Sequence, residues 1–130
     1  MDCIFCKIVN GEIPSYKVYE DNIVFAFLDI DPKSNGHTLI IPKKHFTDLS
    51  DIDSDTLNHI FEVAKELKIK LEKKLNCDGI TLLQNNGIVQ EVKHFHLHLI
   101  PQYKDKNSFG FKCNKEYLDD VKETYEKITN

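Results

Sequence analysis

The 130 residues fit one folded domain, with a formal net charge of −4 and a pI near 5.8. An apolar content of 41% and a charged content of 29% suit a globular core, and no basic run marks a nucleic-acid binder. The longest apolar run, Ile23 to Leu28, is strand length, and Met1-Asp2-Cys3 begins no secretory signal, so no membrane association and a cytoplasmic setting are expected. There the four cysteines are expected as thiols or metal ligands rather than disulfides.

In chain order, residues 3–9 read as a short helical turn. Tyr16 to Glu20 and Ile23 to Leu28 read as a hairpin around Asp21-Asn22. Asp31 to Gly36 is turn chemistry throughout, and Thr38 to Ile41 is a third strand ended by Pro42. Asp53 or Ser54 caps a long helix to about Leu75, with an apolar stripe of Leu57, Ile60, Phe61, Ala64, Leu67, Leu71 and Leu75. The charged stretch Lys65 to Lys74 is that helix's wet face. Ile80 to Leu83 is a strand, Asn85-Asn86-Gly87 a turn, and His94 to Ile100 a strand ended by Pro101. Tyr117, Val121 and Tyr125 suggest one face of a C-terminal helix. The sum is an α+β domain with a mostly antiparallel sheet.

His94-Phe95-His96-Leu97-His98-Leu99-Ile100 is the most informative segment. Strand side chains alternate, so three imidazoles share one face and Phe95, Leu97 and Leu99 share the other. The apolar set is expected on the long helix and the imidazoles in a polar cleft. One imidazole is then suited to act as nucleophile while its neighbours hold charge or deliver a proton. His37 and His45 add to the candidates. A metal site on the three histidines is the rival reading.

Cys3-Ile4-Phe5-Cys6 is a C-x-x-C unit: half a zinc site, a redox pair or inert thiols. No strand precedes it, which weakens the redox reading. Zinc needs two further ligands, for which His45 and His94 are the best candidates. Cys77 and Cys113 belong to no motif and read as packing or incidental thiols.

These residues resemble the histidine triad family, whose signature is His-φ-His-φ-His-φ-φ with φ apolar. The resemblance extends to the opening Cys3 to Ser15, to Phe25 to Pro32, to Gly36 to His45, and to Asn85-Asn86-Gly87 with Gln90-Glu91-Val92, roughly residues 3–103 of a single domain spanning 1–130. It implies a five-stranded antiparallel sheet with a long helix and a C-terminal helix, two such subunits joining their sheets in a homodimer. It implies His96 as nucleophile, His98 on the phosphate or leaving group, and His94 and His37 as supporting imidazoles. Asp29 would hold the ribose hydroxyls. Phe5, Ile8, Ile13 and Ile30 would wall the base, with Asn85, Gln90 and Glu91 near the α-phosphate. Cys3, Cys6, His45 and His94 would bind a structural zinc. The loop Asn86-Gly87-Ile88-Val89 departs from the family pattern, being two residues shorter and lacking a second glycine.

The implied reaction is hydrolysis of a purine nucleoside phosphoramidate or dinucleoside polyphosphate through a nucleotidyl-histidine intermediate, with no metal needed for the chemistry. The alternatives are a hydrolase whose three histidines ligate a catalytic metal and a non-catalytic nucleotide-binding dimer. The segment 104–130 lies outside most of the resemblance; in this family it helps select the leaving group.

Overall fold

A computed structural model describes residues 3–105 and 109–130. Helix α1 (Ile4–Val9) is followed by strands β1 (Lys17–Glu20), β2 (Val24–Leu28) and β3 (Thr38–Pro42), then helix α2 (Ser54–Leu75). Strands β4 (Gly79–Leu83) and β5 (Leu97–Gln102) follow, and helix α3 (Val121–Thr129) ends the chain. The five strands form one antiparallel sheet in the order β1-β2-β3-β5-β4, which places β5 inside the sheet and β4 at its edge.

Local chemistry explains most boundaries. The Asp21 carboxylate accepts the Ile23 and Val24 N–H groups and tightens the β1–β2 turn. The Asp53 carboxylate accepts the Thr56 N–H at the start of α2. Asn76, at φ 55°, closes α2 in the left-handed conformation. Gly36, at φ 91°, turns the chain into β3 against Leu75 and Pro101, where a Cβ would collide.

Strand alternation sorts side chains between two cores. Val24, Ala26, Ile40, Leu97 and Leu99 face Ile60, Val63, Ala64 and Leu67 of α2. Phe25, Phe27, Leu39 and Ile41 face the other way, under Phe5 and Ile8 of α1. Each fully buried aliphatic or aromatic side chain contributes about 1.5–3 kcal/mol, so the central strands are pinned in register from both sides.

Three expectations need correction. The last strand is Leu97–Gln102 rather than His94–Ile100, and it runs through Pro101 because the β3 ladder has ended at Leu99. Phe61 of the expected stripe is 44% exposed, and Val63 takes its place in the core. Tyr117 lies in a 3₁₀ turn before α3 rather than on the C-terminal helix, which does carry Val121 and Tyr125.

Candidate functional site

His94, Phe95 and His96 precede the ladder of β5 yet keep the alternation that continues through it. The Phe95 N–H donates to the Phe46 carbonyl at 2.7 Å, fixing the chain there. Phe95, Leu97 and Leu99 enter the core under α2. His94, His96 and His98 lie on the α1 side, with the rings of His96 and His98 4.8 Å apart. They do not converge on one point, however, but divide between two clusters.

The first cluster joins His94 to Cys3, Cys6 and His45, all four donor atoms lying within 4.8 Å of one another. His94 Nδ1 is 3.3 Å from Cys3 Sγ, 3.5 Å from Cys6 Sγ and 3.1 Å from His45 Nδ1. His45 Nδ1 is 3.4 Å from Cys6 Sγ. A tetrahedral zinc with ordinary Zn–S and Zn–N bonds separates its donors by roughly 3.3–3.8 Å, so the cluster fits the ion. The tautomer fits as well. His94 Nε2 lies 2.8 Å from the Pro42 carbonyl, an obligate acceptor, so the proton sits there and Nδ1 faces the sulfurs bare. Burial and the neighbouring Cys3 thiol push the Cys6 thiol up to about 11, a preference that a divalent cation would invert.

The second cluster holds His37 and His98, with Asp29 at its rim. Its proton positions follow from one backbone group. The Lys33 N–H donates to His37 Nδ1 at 3.0 Å, so neutral His37 carries its proton on Nε2. That Nε2–H donates to His98 Nδ1 at 2.8 Å. Neutral His98 therefore carries its proton on Nε2, which is buried without a partner among the described residues. Burial, and then His96 and His37, push His98 down to about 3, and burial lowers His37 too, so both rings are neutral at pH 7. Asp29 Oδ2 lies 3.7 Å from His37 Nε2.

His96 stands between the clusters. Its Nδ1 lies 2.8 Å from the His94 carbonyl, so Nδ1 holds the proton and Nε2 keeps a lone pair. Burial lowers its pKa, which favours the neutral ring. Phe5 meets it edge-on at 5.1 Å between ring centres.

Two cavities meet at His96 and His98. One, of about 170 Å³, is lined by Phe5, Ile8, Ile13 and Ile30 with Asp29, Glu91 and Val92. The other, of about 130 Å³, has Asn85, Glu91, Asp29 and His37 in its wall. The structure thus brings together the expected apolar wall, the carboxylate and the imidazoles. It does not bring Gln90 to either cavity. The Gln90 N–H donates to the Gly87 carbonyl at 3.0 Å and its Nε2 to the Thr47 carbonyl at 2.6 Å, so the backbone turns into the loop and the amide nitrogen reaches the segment after β3.

Lys33, Leu83 and Phe109 also line the second cavity and were not anticipated. Phe109 is held there by Gln102, whose amide gives and accepts one hydrogen bond with the Phe109 backbone, a contact between segments that no local pattern signals. Lys33 carried a faint signal: a turn four residues before a histidine brings a backbone N–H back to the ring.

Residues 10–105 match the HIT domain family. An uncharacterized HIT-like protein of Mycoplasma genitalium is 42% identical over 129 residues, covering 98% of this chain and 92% of the relative. An adenosine 5′-monophosphoramidase of Saccharomyces cerevisiae is 47% identical over 107 residues, covering 81% of this chain and 65% of that protein. The crystal structure of a Zn-bound histidine triad family protein from Mycobacterium smegmatis superposes with a TM-score of 0.78 at 38% identity, covering 89% of this chain and 86% of that one. Fold, the divided histidines and these likenesses agree: the chain belongs to the histidine triad (HIT) family and carries an N-terminal Cys-x-x-Cys and histidine cluster of zinc-site character.

Proposed function

We propose that this protein hydrolyses a purine nucleoside phosphoramidate or dinucleoside polyphosphate at the α-phosphorus through a nucleotidyl-histidine intermediate. One observation carries the reading: a neutral His96 whose Nε2 lone pair is left free by the Nδ1–H bond to the His94 carbonyl, at the junction of two cavities. The apolar cavity takes the base, and Asp29 at its rim accepts from the ribose hydroxyls. His96 Nε2 attacks phosphorus; as the N–P bond forms, the bond to the leaving group breaks and its electron pair departs with that group. The His98 Nε2–H is a donor suited to a phosphoryl oxygen or to the leaving atom. Water then attacks phosphorus, the N–P electron pair returns to His96, and the water's proton restores any that left. The relative named as an adenosine 5′-monophosphoramidase supports an adenosine nucleotide and an amine leaving group.

Cys3, Cys6, His45 and His94 would hold zinc, which supplies structural cross-linking in this scheme. Both nitrogens of His94 are engaged away from His96 and His98, which opposes a catalytic metal shared by the three histidines. The homodimer belongs to the same proposal. The edge strand β4 presents Leu82, and α2 presents Phe61 and Ile69, as exposed apolar surface for a second copy.

His96→Ala is expected to abolish turnover of adenosine 5′-phosphoramidate while retaining adenosine 5′-monophosphate binding. Wild-type protein mixed with labelled substrate and quenched without acid should carry covalent label that the variant lacks. Normal turnover by His96→Ala would remove His96 as nucleophile; binding without label or turnover in wild type would leave a non-catalytic binding protein.

A further inference from the structure

We infer that the four-ligand cluster is a positioning device for the nucleotide site, acting through Phe5 and the His94 carbonyl, so that metal occupancy sets nucleotide affinity and the His96 tautomer. The inference rests on the proposed nucleotide site and adds to it a control that the pocket residues alone do not provide.

Two covalent paths lead from the cluster to the site. The first is one residue long. Phe5 lies between Cys3 and Cys6 in the only turn of chain that supplies both sulfurs, and Cys3 Sγ also caps α1 by accepting the Cys6 N–H at 3.3 Å. The Phe5 ring is edge-on to His94, His96 and Phe27 at 5.9, 5.1 and 5.5 Å between centres, and it lines the apolar cavity. Drawing the two sulfurs onto one ion fixes the pitch of α1, and with it the ring against which a base would lie.

The second path is His94 itself. Its Nδ1 faces the sulfurs, its Nε2–H donates to Pro42, and its carbonyl accepts the His96 Nδ1–H. The carbonyl that selects the His96 tautomer therefore belongs to a residue whose side chain is clamped at both nitrogens. Without the ion, the two thiols and two imidazoles within 4.8 Å of one another are held only by weak sulfur contacts and by the His94 Nε2–H bond to Pro42. His94 then loses the clamp on its Nδ1 side, and α1, six helical residues long, holds Phe5 by its packing on Phe27 and Leu39 without the cross-link. Partners of metal ligands commonly carry tenfold to hundredfold effects, and here the direction is reversed: the ligand orients the neighbouring functional group.

The test compares zinc-loaded protein, protein stripped by a chelator, and stripped protein reloaded with zinc. Adenosine 5′-monophosphate affinity is read by calorimetry, the His96 tautomer by ring ¹⁵N shifts, and folding by circular dichroism. Stripping should weaken the nucleotide roughly tenfold or more, and should turn a pure Nδ1–H signal at His96 into a tautomer mixture, with both restored by zinc. A folded, stripped protein with unchanged affinity and an unchanged His96 signal would overturn the inference. If stripping unfolds the chain, His45→Ala, which keeps three ligands, is titrated with zinc: affinity and tautomer should follow occupancy, and constancy across the titration overturns the inference. The tautomer readout needs neither turnover nor nucleotide, so its failure is distinct from failure of the proposed reaction.

Discussion

His37→Ala tests the relay of protons that ends at His98. His37 lines the second cavity, and its hydrogen bonds run from the Lys33 backbone to His98: the Lys33 N–H fixes His37, and the His37 Nε2–H fixes His98. Removing the His98 donor outright should cost about a hundredfold to a thousandfold in kcat, as for one donor to a charge developing in the transition state. Removing His37 leaves that donor in place but unspecified, since either nitrogen of His98 is then free to carry the proton. The loss is one hydrogen bond's worth of orientation, about 1 kcal/mol or roughly fivefold to tenfold. The two effects share one atom, so they cannot add. The double variant His37→Ala/His98→Ala should match His98→Ala within about twofold, well short of the product of the single effects. The assay is kcat/KM for adenosine 5′-phosphoramidate across the four proteins, with urea melts of each to set aside folding losses. A multiplicative double variant would refute the relay, and so would a His37→Ala loss larger than that of His98→Ala; both would mean that His37 acts directly.

Two further outcomes are expected. Asp21 accepts the Ile23 and Val24 N–H groups at 2.8 and 2.9 Å, the Tyr19 hydroxyl at 2.8 Å and His59 Nε2 at 2.6 Å, tying the β1–β2 hairpin to α2. Burial alone would raise its carboxyl, but the donors from His59, Val24, Ile23 and Tyr19 outweigh it and hold the group far below its ordinary 3.8. A depressed folded-state value contributes its full stabilisation above that ordinary value and loses it progressively as pH falls from there toward the lowered value. Asp21→Ala should thus cost about 1–3 kcal/mol at pH 7, discounted for its partial exposure, and the gap to wild type in urea denaturation should narrow below about pH 4; a gap that holds constant down to about pH 2 would exclude the carboxylate as its source. For the proposed homodimer, sedimentation equilibrium should give twice the 15.1 kDa chain mass, with Leu82→Lys shifting the protein toward monomer; a wild-type monomer at micromolar concentration would sink it.

Much of this architecture was legible because it rests on periodicity and local caps. The 94–99 alternation decided which side chains meet α2 and which meet α1, and the Asp53 cap and spaced aliphatics located α2. Phe61 fits the apolar stripe by spacing, but only the sheet's position beneath the helix decides that Val63, not Phe61, is buried. The start of β5 was misread because side-chain alternation persists through residues 94–96, where no neighbouring strand supplies a ladder. Alternation records which way side chains point, while a strand boundary records hydrogen-bond partners distant in sequence. The division of the three histidines was less legible still: the same alternation holds whether the rings meet at one ion or at two sites, and only the placement of α1 beside β3 separates them. Phe109 lay beyond reach for a similar reason, since its place depends on the Gln102 amide.

The shortened loop sharpens what the site must do without. Between Asn85 and Gln90 the chain makes a single 3₁₀ turn at Gly87–Val89, entered through Gly87 at φ 73°, and throws Ile88 into solvent with 99% of its surface exposed. A longer, glycine-rich loop would wrap backbone N–H groups toward a bound phosphate. Here the Gln90 N–H is turned back to Gly87 and its amide to Thr47, so this stretch contributes Asn85 and Glu91 to the cavities but no donor from Gln90. The His98 Nε2–H, set by a relay that begins at the Lys33 backbone, is the buried donor at the junction without a partner among the described residues, beside the Lys33 and Asn85 side chains of the second cavity. In the proposed reaction, charge stabilisation would therefore fall more heavily on His98 than in a site whose loop also turned a donor from residue 90 toward the phosphate. For that reason the His98→Ala loss belongs at the upper end of the range given above, nearer a thousandfold than a hundredfold.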